Sequence, residues 1–261
     1  MNFNINDFEL FLFTTNPSLA KECLDAGING IIIDWENKEK DARQNGYPTQ
    51  INYDTSEDLM NMRKSITGKI ICRINKFNNN YSEEEINTAI ELGANELFLP
   101  MVEEPVEVEQ ALEIIQDRCK LGILVETDTA VKNATQFAHL PLSRIYIGLN
   151  DLHISRKSKN IFEPLTDDTV KYIRSVFSNI PVGVGGITHP KEGHPIPAEL
   201  LIKQYVNLKM NFSFLRRSFI KDLNAYDVET LVKDIREALQ NAHNQNQMQE
   251  MAFGDDIKSY F

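Results

Sequence analysis

Eight short apolar runs recur along the chain, each followed by a segment with helical period or helix-start chemistry, and this alternation constrains the fold more than any other feature. The runs span 8–13, 30–34, 69–74, 96–99, 121–125, 144–147, 181–184 and 211–215. They are apolar on both sides, the pattern of parallel strands covered by helices. Thr55 with Asp58, and Ser82 with Glu85, have capping-box spacing ahead of helices. Pro105 opens a helix, while Gly27 and Gly93 close two others. Further helices are expected over 130–137, 167–177, 198–205 and 227–239. Eight strand–helix units in 261 residues fit one closed (β/α)8 TIM barrel, for which about 250 residues is typical. The barrel is expected over 1–240, with an additional C-terminal helix. The Asn/Gln-rich and then aromatic tail, 241–261, is expected to be partly flexible or to dock on a neighbour.

The totals narrow the function classes. A formal net charge of -11 opposes nucleic acid and anionic membrane surfaces, both of which need a basic patch. A small anionic ligand remains compatible if a cation accompanies it. No apolar run approaches the roughly 18 residues of a membrane span. The segment from Met1 to Asp7 has neither the basic start nor the apolar stretch of a secretory signal. Cys23, Cys72 and Cys119 are odd in number and far apart, as expected of reduced core thiols in the cytoplasm, and no metal role falls to them.

Active sites of such barrels form where strands end in the direction of the chain, so polar residues at those ends come first. Strand two ends in Asp34-Trp35-Glu36-Asn37, strand three in Arg73, strand five in Glu126 and strand six in Asn150-Asp151. Glu126 and Asp151 top adjacent strands, which lie about 4.8 Å apart, within joint reach of one ion. Two carboxylates plus waters is a Mg²⁺-like set, and the same acids also serve as ordinary helix caps. The stretch Gly183-Val184-Gly185-Gly186-Ile187-Thr188-His189, with Arg216-Arg217 beyond strand eight, either cradles a second anionic group or forms a tight turn beside a solvated basic pair.

Five strings fall in one order at these strand ends: Ile31-Ile32-Ile33-Asp34-Trp35-Glu36, Cys72-Arg73-Ile74, Leu99-Pro100-Met101-Val102-Glu103, Leu124-Val125-Glu126-Thr127 and Ile147-Gly148-Leu149-Asn150-Asp151-Leu152. Over about Phe11 to Asp151 the chain resembles the HpcH/HpaI aldolase and citrate lyase beta-subunit family, barrels that bind pyruvate and phosphoenolpyruvate. The resemblance implies a carbon–carbon lyase with a divalent metal, Mg²⁺ or Mn²⁺, on Glu126 and Asp151. It implies a small 2-oxo acid bound by Arg73, Gly148, Asn150, Gly185 and Gly186, and Arg73, Asp34 and Glu36 as catalytic groups. It also implies a homo-oligomer, with the apolar stripe Leu231, Ile235, Leu239 and the aromatic tail available for the contact.

One departure bears on mechanism. The aldolases of the resembled family carry a histidine in a Glu-His pair, where this chain has Asn37, and an amide takes up no proton near neutral pH. His153 and His189 either supply a base from another direction or are structural. Two further readings follow: a citrate-lyase-like acyl-CoA lyase, for which no basic nucleotide surface is evident, and a non-catalytic oxo-acid-binding protein.

Overall fold

A computed structural model describes residues 3–38, 52–215 and 217–248. Eight parallel strands close into one barrel in chain order, the last pairing with the first. They are β1 (Glu9–Phe13), β2 (Gly30–Asp34), β3 (Ile70–Arg73), β4 (Glu96–Leu99), β5 (Lys120–Val125), β6 (Arg144–Ile147), β7 (Val182–Ile187) and β8 (Phe212–Leu215). Around them run α1 (Pro17–Asp25), α2 (Ser56–Ser65), α3 (Ser82–Glu91), α4 (Pro105–Ile115), α5 (Asp128–Lys132) and α6 (Ala134–Phe137). The ring continues with α7 (Leu149–Arg156), α8 (Thr169–Val176), α9 (Ala198–Asn207), α10 (Arg217–Asp222) and α11 (Val228–Met248). The expected (β/α)8 barrel is the observed fold.

Strand alternation divides the apolar residues between two cores. Phe11, Ile32, Ile71, Phe98, Leu124, Tyr146, Phe212 and Phe214 fill the barrel interior. Their neighbours in sequence, such as Leu12, Ile31 and Ile33, pack outward against the helices. The lower end of the barrel is closed by Arg144, whose guanidinium bonds Glu96 and Glu9 at 2.7 Å each and lies over the rings of Phe11 and Phe212. These groups sit at strand starts, the end of such barrels that serves stability rather than chemistry.

Several elements differ from the sequence expectation. β7 runs on to Ile187, because a register shift between Gly183 and Gly186 lets the strand continue past the irregularity. Gly185 and Gly186 therefore lie in a strand and not in the expected loop. The helix expected over 130–137 is two, broken at Asn133, whose side chain donates to the Glu103 carbonyl at 2.8 Å. α7 carries no side-chain cap, so its start at Gly148 has no local sequence signal. α11 continues to Met248, through much of the Asn/Gln-rich stretch. Its stripe Leu231, Ile235 and Leu239 is fully buried in the chain's own core and is not available to a neighbour, which corrects the contact proposed from sequence. The aromatic tail from Met251 and Arg216 lie outside the described residues. Among the described residues no helix is long and apolar enough to cross a membrane.

Candidate active site

β2 and β3 deliver the first part of the site. Asp34 and Arg73 are register partners at the ends of these strands. Arg73 Nε donates to Asp34 Oδ1 at 2.8 Å and Nη2 to Oδ2 at 2.7 Å, a two-point fork. Nη1 lies 3.2 Å from Glu36 Oε2. The Asp34 and Glu36 side chains are buried, that of Arg73 is 13% exposed, and the guanidinium lies 5.0 Å from the centre of the half-buried Phe13 ring. Burial opposes the charge on Arg73, but Asp34, Glu36 and Glu126 outweigh it and hold its pKa well above the ordinary arginine value. The side chain stays protonated.

β5 and β6 deliver the second part. Glu126 directly follows β5, is 3% exposed, and its Oε2 accepts the Met101 main-chain N–H at 3.2 Å. Met101 adopts a left-handed φ of 54°, a costly backbone state for a side-chain-bearing residue. Gly148, after β6, leaves room for the same side chain: a Cβ there would fall 2.3 Å from Glu126 Oε1. Asp151, 8% exposed, is the third residue of α7, where the helix dipole favours negative charge. Asn150 is half-buried beside it.

Among the described residues, the buried carboxylates Asp34, Glu36, Glu126 and Asp151 follow or end strands at this barrel face, with the Arg73 guanidinium paired to the first two. Carboxylate oxygens are the donors that hard divalent cations take. Among the described residues no three His, Cys, Asp or Glu side chains cluster as metal ligands. Two carboxylates, with water and substrate oxygens completing the shell, suit Mg²⁺, which keeps several non-protein ligands. The donor chemistry of Glu126 and Asp151 is compatible with that ion.

The other sequence candidates have their own surroundings. Gly185 has φ 48°, and a Cβ there would fall 2.2 Å from the Tyr205 hydroxyl. Its carbonyl accepts from Tyr146 Oη at 2.8 Å and Ser213 Oγ at 3.0 Å. Packing inside the barrel wall thus accounts for this glycine. Gly186 pairs with Phe214 of β8. His189 is 1% exposed, bonds Asp234 of α11 through Nε2 at 2.9 Å and stacks on Tyr226 at 4.5 Å. His153 Nδ1 pairs with Ser158 Oγ at 2.8 Å. The Asn37 main-chain N–H donates to Asn75 Oδ1 at 3.0 Å, and the Asn75 amide is held in turn by Glu85.

Sequence reasoning missed Asn52 and Asp54. Asn52 Nδ2 donates to Asp34 Oδ2 at 2.9 Å, and Asp54 Oδ2 accepts the Asp34 main-chain N–H at 2.8 Å. In the sequence they are two polar residues ahead of a helix cap, and nothing local points them at Asp34.

The fold recurs among solved structures. The protein CitE from Mycobacterium tuberculosis in complex with magnesium and pyruvate aligns at a TM-score of 0.64 and 12% identity, over 95% of this chain and 100% of that one. The citrate lyase beta subunit from M. tuberculosis complexed with oxaloacetate and magnesium aligns at 0.61 and 14%, over 92% and 99%. RipC from Yersinia pestis aligns at 0.59 and 16%, over 85% and 95%. At these identities the likeness is one of fold. No curated protein matches the chain in sequence. The family model described as HpcH/HpaI aldolase/citrate lyase matches residues 8–163, more than half of the chain and the whole segment carrying Asp34, Arg73, Glu126 and Asp151. The chain belongs to the HpcH/HpaI aldolase/citrate lyase family.

Proposed function

We propose that the chain is a divalent-metal-dependent carbon–carbon lyase of the class II pyruvate aldolase type, acting through the enolate of pyruvate or a related 2-oxo acid. The observation that carries this reading is Arg73, charged and locked by Asp34 and Glu36, at the barrel mouth beside Glu126. A guanidinium has five N–H donors, and three are engaged by the two carboxylates, leaving two for a ligand. As a proton leaves C3, or a carbon–carbon bond to C3 breaks, the electron pair moves toward the 2-oxo oxygen. A fixed guanidinium stabilises that charge without reorganising.

Glu126 and Asp151 would hold Mg²⁺ or Mn²⁺, which when bound supplies Lewis-acid polarisation of the oxo-acid oxygens. Support comes from the M. tuberculosis CitE of the same fold, which is described in complex with magnesium and pyruvate. We assign Gly148 and Asn150 to the ligand pocket, together with Gly185, where a Cβ would fall 3.2 Å from Leu149 Cδ1, and the adjoining Gly186. With an amide at Asn37 and His189 engaged by Asp234, the proton acceptor we favour is Glu36, buried 3.2 Å from Arg73. Asp34 holds the guanidinium in place.

The test is deuterium exchange at the pyruvate methyl group with added Mg²⁺ or Mn²⁺, which reads enolisation without needing the second substrate. Exchange is expected. Asn37 favours one other reading, an oxo-acid-binding protein without catalysis, and binding of pyruvate with no exchange would establish it instead. We also expect a homo-oligomer formed through surfaces other than the buried α11 stripe. Light scattering that finds only the 29.9 kDa monomer would rule this out.

A further inference from the structure

We propose that Asp54 is a positioning residue for Arg73, acting through Asp34, and that together with Asn52 it ties the returning end of the β2–α2 connection to the catalytic pair. The inference rests on the role given to Arg73 above.

Asp34 is gripped from several sides. Its carboxylate takes the Arg73 fork and the Asn52 amide, and its main-chain N–H is taken by Asp54 Oδ2 at 2.8 Å. Asn52 and Asp54 are two residues apart, immediately ahead of Thr55. Thr55 is itself fixed as the N-cap of α2 by a reciprocal capping box with Asp58. The segment is thus anchored to α2 at one end and to Asp34 at the other, so the position of α2 is passed through Asp34 to the guanidinium.

The strength of the tie depends on charge. An N–H bond to an ionised carboxylate is roughly twice as strong as one to a neutral acceptor. Burial pushes the Asp54 carboxyl up to about 6; the Asp34 N–H opposes the rise, Asp34 and Asp58 add to it, and Arg73 opposes it. Among the described residues, the titratable and charged groups around Asp54 are Asp34 on β2, Cys72 and Arg73 on β3, and Asp58 on α2. The tie is therefore charged at neutral pH and neutral in mild acid.

The experiment follows the Asp34 amide and Arg73 Nε–H resonances of the full chain by NMR on either side of about pH 6, in the parent and in Asp54→Asn. Asparagine keeps an acceptor oxygen and removes the charge. Both resonances should titrate with one midpoint in the parent and with none in the variant. Asp58→Asn, which removes a neighbouring charge and keeps an oxygen to accept the Thr55 N–H, should lower the midpoint and keep the titration. Methyl exchange of pyruvate should fall about tenfold as the parent is acidified through that midpoint, the scale of one weakened charged hydrogen bond, and this limb should be missing in Asp54→Asn. Resonances that do not move together, or that still titrate in Asp54→Asn, overturn the proposal, as does an identical pH limb in parent and variant. If the two resonances titrate as expected and no exchange occurs at any pH, the coupling holds and the enolisation reading fails.

Discussion

Asp34 and Arg73 meet twice, as register partners on β2 and β3 and through a fork of 2.8 and 2.7 Å between their side chains. The backbone pairing sets the separation of the two Cα atoms, and the fork sets the plane of the guanidinium. A charged group held this way has little freedom to relax around a substrate, which is the property required of an electrostatic catalyst.

Arg73→Ala should lower methyl exchange by roughly a hundredfold or more, the loss seen when one such donor is removed. Arg73→Lys should recover little, because an ammonium cannot reproduce the planar fork to Asp34. Stability is a second readout. Arg73→Ala takes the guanidinium from buried Asp34 and Glu36, and breaking a buried ion pair costs about 3–5 kcal/mol, which denaturant unfolding should register. Exchange at the parent rate in Arg73→Ala would remove Arg73 from the chemistry.

Glu126→Gln and Asp151→Asn should each weaken Mg²⁺ and Mn²⁺ binding in calorimetry with little change in unfolding. Full affinity in both variants would mean that the ion, if bound at all, sits elsewhere.

Gly148→Ala probes the same site without touching a carboxylate. The new methyl would fall 2.3 Å from Glu126 Oε1, too close to coexist, so Glu126 must swing away from its bond with the Met101 amide. Metal affinity should fall toward that of Glu126→Gln while circular dichroism stays unchanged. An alanine variant with parent affinity would show that Glu126 does not need this position.

At the opposite end of the barrel, burial raises the Glu9 pKa, but Arg144 and Lys69 outweigh it and hold it below the ordinary 4.5. A carboxyl lowered in the folded state contributes stability above its unfolded pKa and loses it as pH falls through the folded value. Unfolding measured against pH should show a loss of stability beginning near 4.5 and continuing below it, and Glu9→Gln should flatten that limb. If the acid limb is as steep in the variant, the Glu9 network is not its source.

The eight strands, most of their helices and the barrel class were legible in the chain itself, because apolar period and capping chemistry act over a few residues. The placement of Asp34, Arg73 and Glu126 at strand ends was legible for the same reason: each stands where an apolar run stops. Family strings then supplied roles that spacing alone left open. What a side chain faces was not legible. Arg73 finds Asp34 39 residues away, and Asp54 finds Asp34 across a 20-residue separation, only because the barrel sets the strand stagger and seats the start of α2 beside the end of β2. The Gly183/Gly186 register shift drew two expected loop glycines into β7, and the α11 stripe that looked available for a partner turned inward. Period tells which residues share a face, and only the packed barrel decides whether that face meets solvent, ligand or the chain's own core.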